Sequence, residues 1–238
     1  MNFAVILAAG KGKRMHLSTG IPKQFIKISG IPIVIYTINK ILSAKCFDKV
    51  YVSVCSDFID YFIKLLKEYS IDKDRIIITE GGKERIDTIQ NTLKAIEIDT
   101  TISNDDVVVI CDAVRPFVST KILYESINTA RDFGACVATI PAHDTMFSIE
   151  ESGIINSLLP RSKIFHGQAP DSFRFNILKQ ALDSLSEEEK LVITGTAQIC
   201  LIKGIPVKAI KGSRKNIKIT TIEDLQLAEQ ILESERTL

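Results

Sequence analysis

Val107-Val108-Val109-Ile110-Cys111-Asp112 decides the architecture. Four β-branched residues and a cysteine in succession leave neither face of a strand polar, as in the middle of a parallel sheet covered by helices on both sides. Outward from it, the β-branched runs Phe3–Ala8, Val50–Val54, Arg75–Thr79 and Ala135–Ile140 read as further strands. Between them lie apolar residues at helical spacing: Val34, Ile38, Ile41 and Leu42 in one stretch, Ile86, Ile89, Leu93 and Ile96 in another. Strand and helix in alternation predict an α/β fold with a doubly wound, mostly parallel sheet.

The pattern changes at about 142–164. His143–Ile149 leads into the turn signal Glu150-Glu151-Ser152-Gly153 and then Ile154–Leu159, which reads as a β-hairpin arm projecting from the body. Its apolar residues have little core of their own, so a partner subunit is expected to cover them. Helical stretches follow near Phe173–Leu185 and Thr194–Lys203, then strands at Val207–Ile210 and Asn216–Thr220. A last helix starts at Thr221 as N-cap with Asp224 three residues on, and carries Leu225, Ala228, Ile231 and Leu232 on its apolar face.

The 238 residues suit one domain spanning 1–238, with a core large enough to need no disulfide or metal staple. Thirty basic residues stand against 29 acidic ones, which argues against coating nucleic acid or a membrane through bulk charge. Five cysteines without close pairs fit reduced thiols. The apolar run Phe3–Ala9 is too short for a signal peptide or a span and reads as a buried strand. A cytoplasmic location is expected.

Leu7-Ala8-Ala9-Gly10-Lys11-Gly12-Lys13-Arg14-Met15 follows the first strand directly, where α/β folds place their ligands. Gly10 and Gly12 allow backbone N–H groups close to phosphate oxygens, and Lys11, Lys13 and Arg14 add charge. A dinucleotide fingerprint would need a third glycine where Met15 stands, and the ending of a P-loop is missing. The first acidic residue is Asp48, although about six acids would be expected before it at the mean composition. An NAD site wants an acid about 20 residues past the glycines; a highly anionic ligand such as a triphosphate fits better. Taken alone, the stretch also reads as a solvated basic loop.

Leu-Ala-Ala-Gly-x-Gly-x-Arg-Met, followed by Pro22-Lys23-Gln24-Phe25, resembles the signature of sugar-phosphate and polyol-phosphate nucleotidylyltransferases. Within them it is most similar to the cytidylyltransferases acting on 2-C-methyl-D-erythritol 4-phosphate and on ribitol 5-phosphate. Gly81-Gly82-x-x-Arg85, Asp112-Ala113-Val114-Arg115-Pro116, Asp144-Thr145, Arg161, Gln168-Ala169-Pro170 and Asn216–Thr220 occur in that family's order. The resemblance implies a Rossmann-like nucleotidyltransferase fold and attack by a substrate phosphate on the α-phosphorus of CTP, releasing pyrophosphate. Such transfer needs positioning and charge neutralisation more than covalent help.

By the same resemblance, Arg14 and Lys23 hold the triphosphate, Lys23 at the α-phosphate, and Arg161 and Lys218 complete the catalytic set. Ala8, Ala9, Gly10, Lys11, Gly12, Gly81, Gly82, Arg85, Thr88, Asp112 and Ala113 line the nucleotide: Gly81 and Gly82 as a shelf for cytosine, Thr88 as a base-contacting hydroxyl, Ala113 leaving room for the sugar. Arg115, Thr145, Arg161, Thr194 and Lys218 receive the polyol phosphate, and the arm crosses to a second subunit of a homodimer. A lone Lys23 or Arg161 would read as a solvated side chain; the register of the motifs argues otherwise. Asp112, ending an apolar strand, needs a cation. Mg²⁺ suits it and the resemblance makes it the metal ligand, with an ion pair to Arg115 as the competing reading. No general base is required, because a phosphate monoester is largely ionised near neutrality.

Thr194-Gly195-Thr196 departs from relatives, many of which carry acids after the threonine. Val114–Phe117 and His166-Gly167-Gln168 lean the acceptor towards ribitol 5-phosphate, with 2-C-methyl-D-erythritol 4-phosphate as the alternative. Two other readings compete. A sugar-transferring enzyme would carry an Asp-x-Asp motif that Asp112-Ala113-Val114 lacks. A non-catalytic nucleotide-binding relative would have less reason to keep Arg14, Lys23, Asp112 and Lys218.

Overall fold

The apolar runs form strands because their β-branched side chains can be buried on both sides at once. The computed structural model describes residues 1–10 and 20–236. The strands are β1 (Asn2–Ala8), β2 (Lys27–Ile28), β3 (Ile31–Pro32), β4 (Lys49–Val54), β5 (Ile76–Glu80), β6 (Val107–Asp112), β7 (Ala135–Pro141), β8 (Phe147–Ile149), β9 (Ile155–Leu158), β10 (Phe165–Arg174) and β11 (Lys208–Lys211). The helices are α1 (Ile33–Ala44), α2 (Ile59–Glu68), α3 (Arg85–Asp99), α4 (Thr120–Phe133), α5 (Phe175–Asp183), α6 (Glu187–Val192), α7 (Thr196–Ile202) and α8 (Ile222–Arg236).

Seven strands make one sheet in the order β11-β7-β10-β6-β1-β4-β5. From β1 the chain winds outward to β4 and β5, both in parallel register, then α3 carries it back across to β6 on the other side of β1. That reversal opens a crevice at the carboxyl ends of β1 and β6, where open α/β sheets bind ligands. Alternation sorts the core. Ala4, Ile6, Val109 and Cys111 pack under α1, α2 and α4. Phe3, Val5, Val108 and Ile110 pack under α3, α5 and α7. Asp112 is two residues beyond Ile110, so its side chain lies on the α3–α5–α7 face.

The structure corrects the sequence reading in two places. Phe173 is not the start of a helix; it is fully buried in β10, which runs antiparallel between β6 and β7. The apolar residues ahead of α5 serve a strand and then a helix without a turn signal between them, so the periodicities merge. Asn216–Thr220 is irregular and joins none of the described sheets. It is pinned by Ile219 N–H donating to the Val114 carbonyl at 3.0 Å and by Asn216 Nδ2 donating to the Ala169 carbonyl at 2.8 Å. The β2–β3 hairpin, with Ile28 fully buried, was not foreseen.

The segment following β9 leads back to the sheet, while β8 and β9 pair with each other and leave Ile149, Ile154, Ile155 and Leu158 exposed. Helix α8 begins as expected: Thr221 Oγ1 accepts from Asp224 N–H at 3.3 Å and Asp224 Oδ2 accepts from Thr221 N–H at 2.9 Å. Among the described residues no helix is long and apolar enough to cross a membrane.

Phe173 lies opposite Val108 on one side and Ala135 on the other, closing the antiparallel insertion. Replacement by Ala is expected to cost about 3–5 kcal/mol, as for other buried Phe deletions. Urea unfolding measures this; a loss below 1 kcal/mol would contradict a core position.

Candidate nucleotide site at the sheet crevice

At the crevice, β1 hands over to Ala9 and Gly10, and Leu7 lies in register with Asp112. Gln24 closes the return of the chain: its Nε2 donates to the Ala8 carbonyl at 2.5 Å, and its side chain is buried. This fixes the short turn Lys23–Phe25 beside the strand end, and Phe25 anchors it against Phe58, Tyr61 and Phe62. Lys23 Nζ donates to the Ile219 carbonyl at 3.2 Å, so Lys23 stands next to the Lys218 segment, 195 positions away in sequence. Lys11, Gly12 and Arg14 lie outside the described residues.

Gly81 and Gly82 follow β5. A Cβ on Gly81 would come within 2.1 Å of the Ala9 Cβ, and one on Gly82 within 2.2 Å of the Asp87 Cβ. Only glycine permits the β5–α3 turn to touch the β1 loop. Helix α3 starts directly after this turn, where Asp87 Oδ2 accepts from Glu84 N–H at 3.0 Å. Thr88 is buried, and its hydroxyl accepts from Gly82 N–H at 3.0 Å and donates to the Glu84 carbonyl at 3.0 Å. The expected base-contacting hydroxyl is thus engaged in shaping the shelf, its single proton already donated. Ala113 is 1% exposed, packed in the core with α1, and its carbonyl accepts from Thr37.

Asp112 is the centre of charge. Oδ1 accepts from Arg85 Nη1 at 3.0 Å, and Oδ2 accepts from Arg115 Nε at 3.1 Å and pairs with Lys218 Nζ at 3.1 Å. The ion pair with Arg115 is present, and two further protein cations share the carboxylate. Arg115 is itself buried, with Nη1 donating to the Asn216 carbonyl at 2.6 Å. That bond and the Asn216–Ala169 bond hold the irregular 216–220 segment so that Lys218 reaches Asp112. Burial alone would raise the Asp112 pKa; the charges of Arg85, Lys218 and Arg115 outweigh it and hold the carboxyl well below the usual range.

Asp171 is a part of the site that sequence reading missed. It pairs in register with Ile110, so it shares a sheet face with Asp112. It is buried, and burial pushes its pKa up to about 6, with Arg85 drawing it down and the Asp112 charge raising it. It faces the Thr196 hydroxyl and the Ala197 N–H at the start of α7. Thr196 Oγ1 also accepts from Arg85 Nη2 at 3.3 Å. The available signal was a carboxylate between Pro170 and the apolar Phe173 in a stretch otherwise lacking charge.

The remaining expected positions are not gathered here. Thr145 and Arg161 belong to the arm segment; both are exposed, and Arg161 Nη1 donates to the His143 carbonyl at 2.9 Å. Thr194 is exposed, its hydroxyl donating to Gln198 at 3.3 Å. Among the described hydrogen bonds and ion pairs, none links these three to Asp112. A recess of about 330 Å³ at the other end of the strands, lined by Asn2, Phe47, Tyr124 and Arg131 among others, holds none of the expected site residues.

The family profile of 2-C-methyl-D-erythritol 4-phosphate cytidylyltransferase matches residues 2–234. A crystal structure of that enzyme from Francisella tularensis is 28% identical, with a TM-score of 0.78, covering 96% of this chain and 98% of the other. The 4-diphosphocytidyl-2C-methyl-D-erythritol synthase of Anaerococcus prevotii superposes with a TM-score of 0.80 at 24% identity, over 98% of this chain and 96% of that one. The Thermus thermophilus cytidylyltransferase gives 0.72 at 23% identity, over 96% and 98%. The last two speak to the fold alone.

The two aspartates predict opposite pH behaviour. An unfolded aspartate titrates near 3.9. Asp171, raised to about 6, contributes stability that is complete below about pH 4 and lost as pH rises through 6. Asp112, held low, contributes stability present above about pH 4 and lost only in strong acid. Asp171→Asn is therefore expected to melt above wild type at pH 7.5, by on the order of 2 kcal/mol, with the gap closing near pH 4. Thermal scans across pH read this directly; a variant less stable than wild type at pH 7.5 would refute it.

Proposed function

Since the chain belongs to the 2-C-methyl-D-erythritol 4-phosphate cytidylyltransferase family and is thereby a nucleotidyltransferase, we propose that it transfers CMP from CTP to 2-C-methyl-D-erythritol 4-phosphate. That acceptor, rather than the ribitol 5-phosphate favoured by Val114–Phe117 and His166–Gln168, agrees with the matched family and with the Francisella tularensis relative. The observation carrying the reading is the cation cluster on Asp112 at the β1–β6 crevice. Arg85, Arg115 and Lys218 bring three positive charges to one carboxylate, with Asp171 as a second acid beside Arg85. The surplus of positive charge suits a polyanion.

The acceptor phosphate, dianionic near neutrality, attacks the α-phosphorus of CTP. A bond forms between its oxygen and the phosphorus, the bond to the β-phosphate bridge breaks, and pyrophosphate leaves. No protein base has to remove a proton. Lys23 and Arg14 neutralise charge on the α-phosphate and the triphosphate as it develops, and Lys218, beside Lys23, bridges towards the incoming phosphate. Ala8, Ala9, Gly10, Lys11 and Gly12 are assigned to the nucleotide's bed, with Gly81 and Gly82, where only glycine allows the close turn, as its shelf. Thr88 acts by holding that shelf. Arg115 holds Asp112 and the Lys218 segment in place.

The donor set fits Mg²⁺ arriving with its nucleotide. Asp112 stands at the crevice with Asp171 on the same sheet face, and among the described residues no group of three His, Cys, Asp or Glu could hold a metal without other ligands. Mg²⁺ takes one or two carboxylates and completes its shell with phosphate oxygens and water. Asp112 would hold it, and the ion would shield the triphosphate charge.

Thr145 and Arg161 lie in the arm and Thr194 before α7, apart from the Asp112 cluster. Their part in binding the acceptor is assigned to a homodimer, in which the arm of one protomer reaches the crevice of the other. The exposed Ile149, Ile154, Ile155 and Leu158 support this reading: such side chains at an arm are a surface for a second copy.

Pyrophosphate release with CTP, Mg²⁺ and either acceptor tests the reaction. Turnover with 2-C-methyl-D-erythritol 4-phosphate, and little with ribitol 5-phosphate, is expected; the reverse preference would restore the other acceptor. Lys23→Ala should lower kcat roughly 10²–10³-fold, as loss of a transition-state charge partner does, while leaving the circular dichroism and melting temperature near wild type. Undiminished turnover would remove Lys23 from the mechanism.

A further inference from the structure

We propose that Gln168 is a positioning residue for Lys218: its side-chain amide clamps the backbone of Ser213 and so fixes the start of the irregular segment that carries the lysine to the crevice. This rests on the cytidylyltransferase reading and adds a residue to it.

Gln168 is buried in β10, opposite Ala138 of β7. Its amide makes two bonds to one residue. Nε2 donates to the Ser213 carbonyl at 2.9 Å, and Oε1 accepts from the Ser213 N–H at 3.2 Å. Oε1 also meets Asn216 Nδ2, at a longer 3.5 Å. An amide carries a donor and an acceptor on one flat head; an ionised carboxylate only accepts, and a thioether accepts weakly. Gly212 makes room for the clamp, since a Cβ there would come within 2.4 Å of Gln168 Oε1. Its own N–H donates to the Thr139 carbonyl at 2.7 Å, just past the β11–β7 pairing that ends at Lys211 and Thr139. Ser213 is thus held where the sheet lets the chain go.

Lys218 comes five residues later, and no helix or strand lies between to set its course. The turn that follows is built on the residue Gln168 holds: Asn216 N–H donates to the Ser213 carbonyl at 3.0 Å, and Lys215 N–H donates to Ser213 Oγ at 3.2 Å. Asn216 then meets Arg115 and Ala169, and Ile219 meets Val114 and Lys23. Those bonds fix where the segment touches the crevice; the Gln168 bonds fix where it leaves the sheet. The Lys218 side chain is 35% exposed, so packing alone does not place its Nζ. The Gln168-Ala169-Pro170 motif thereby gains a part, as Gln168 by its amide and Ala169 by its carbonyl hold the same segment. An apolar side chain of the same length would fill the space in β10 and leave the Ser213 N–H without its acceptor.

The test uses full-length protein and two variants. Gln168→Met keeps the length and removes the paired bonds. Gly212→Ala drives a Cβ into Gln168 Oε1 from a half-exposed loop, and so reaches the clamp without altering β10. In the ligand-free protein, amide hydrogen exchange in a peptide covering 213–220 should quicken roughly ten-fold in both, with β1 and β6 unchanged. kcat/KM for 2-C-methyl-D-erythritol 4-phosphate should fall roughly ten-fold, the weight of one hydrogen bond, while KM for CTP stays within about two-fold. A double-mutant cycle with Lys218→Ala separates positioning from general weakening. Because Gln168 acts through Lys218, either variant should lower the residual turnover of Lys218→Ala by less than about two-fold. Unchanged exchange at 213–220 overturns the role, as does the full ten-fold loss repeated in the Lys218→Ala background. Wild-type protein that releases no pyrophosphate from CTP with this acceptor overturns the cytidylyltransferase reading; wild-type turnover alongside two indifferent variants overturns only the role of Gln168.

Discussion

A carboxylate at the end of a fully buried strand is the constraint around which this molecule is arranged. Val107 through Ile110 have no contact with solvent, and Asp112 follows them into a nearly dry position. An isolated charge there would be intolerable, so the chain brings cations from three places: Arg115 from the next turn, Arg85 from the start of α3, and Lys218 from an irregular segment near the C-terminal helix. Each needs its own support. Arg85 depends on the Gly81–Gly82 turn, and Lys218 on the bonds that Asn216 makes to Arg115 and Ala169. The result is a crevice whose electrostatics are set before any ligand arrives, which is what transfer between two phosphates requires.

Preorganisation of this kind carries a stability cost, and Asp171 shows where. A second acid on the same sheet face as Asp112 is raised in pKa by burial and by its neighbour's charge. The unpartnered Arg85 Nε and Asn216 Oδ1 belong to the same network. Buried polar atoms left without partners are rare in stable cores and gather where a ligand or a conformational exchange is expected. Here two of them fall within the segments that carry the cations.

The sheet was legible in the sequence wherever one periodicity ruled a stretch. Val107–Asp112 was read to the residue, and the strand at Ala135 to within one residue of its end, because a both-faces-apolar run has few other uses. β10 was not legible, because the strand ends at Arg174 and the helix begins at Phe175 with no turn between them. Asn216–Thr220 looked like a strand because it is rich in β-branched residues; the Asn216 side chain and one backbone bond from Ile219, with no strand ladder, hold it in place. In the site, Gly81, Gly82, Arg85, Asp112, Arg115 and Lys218 were named from motif register and do meet. Thr88 and Ala113 were named too, but the structure turns them inward, one to the shelf and the other to the core.

What the amino-acid sequence determined by itself was the alternation of strands and helices, the acid-free opening segment, and the family motifs in order. These are local properties, set by side-chain shape, backbone freedom and spacing along the chain. Which charges share an oxygen was decided only by the tertiary structure. Asp112, Arg85 and Lys218 are far apart in sequence, and Asp171 reaches their side of the sheet only because β10 enters antiparallel beside β6. Strand pairing is a long-range choice made by burying the most apolar surface at once, and no short window of sequence contains it.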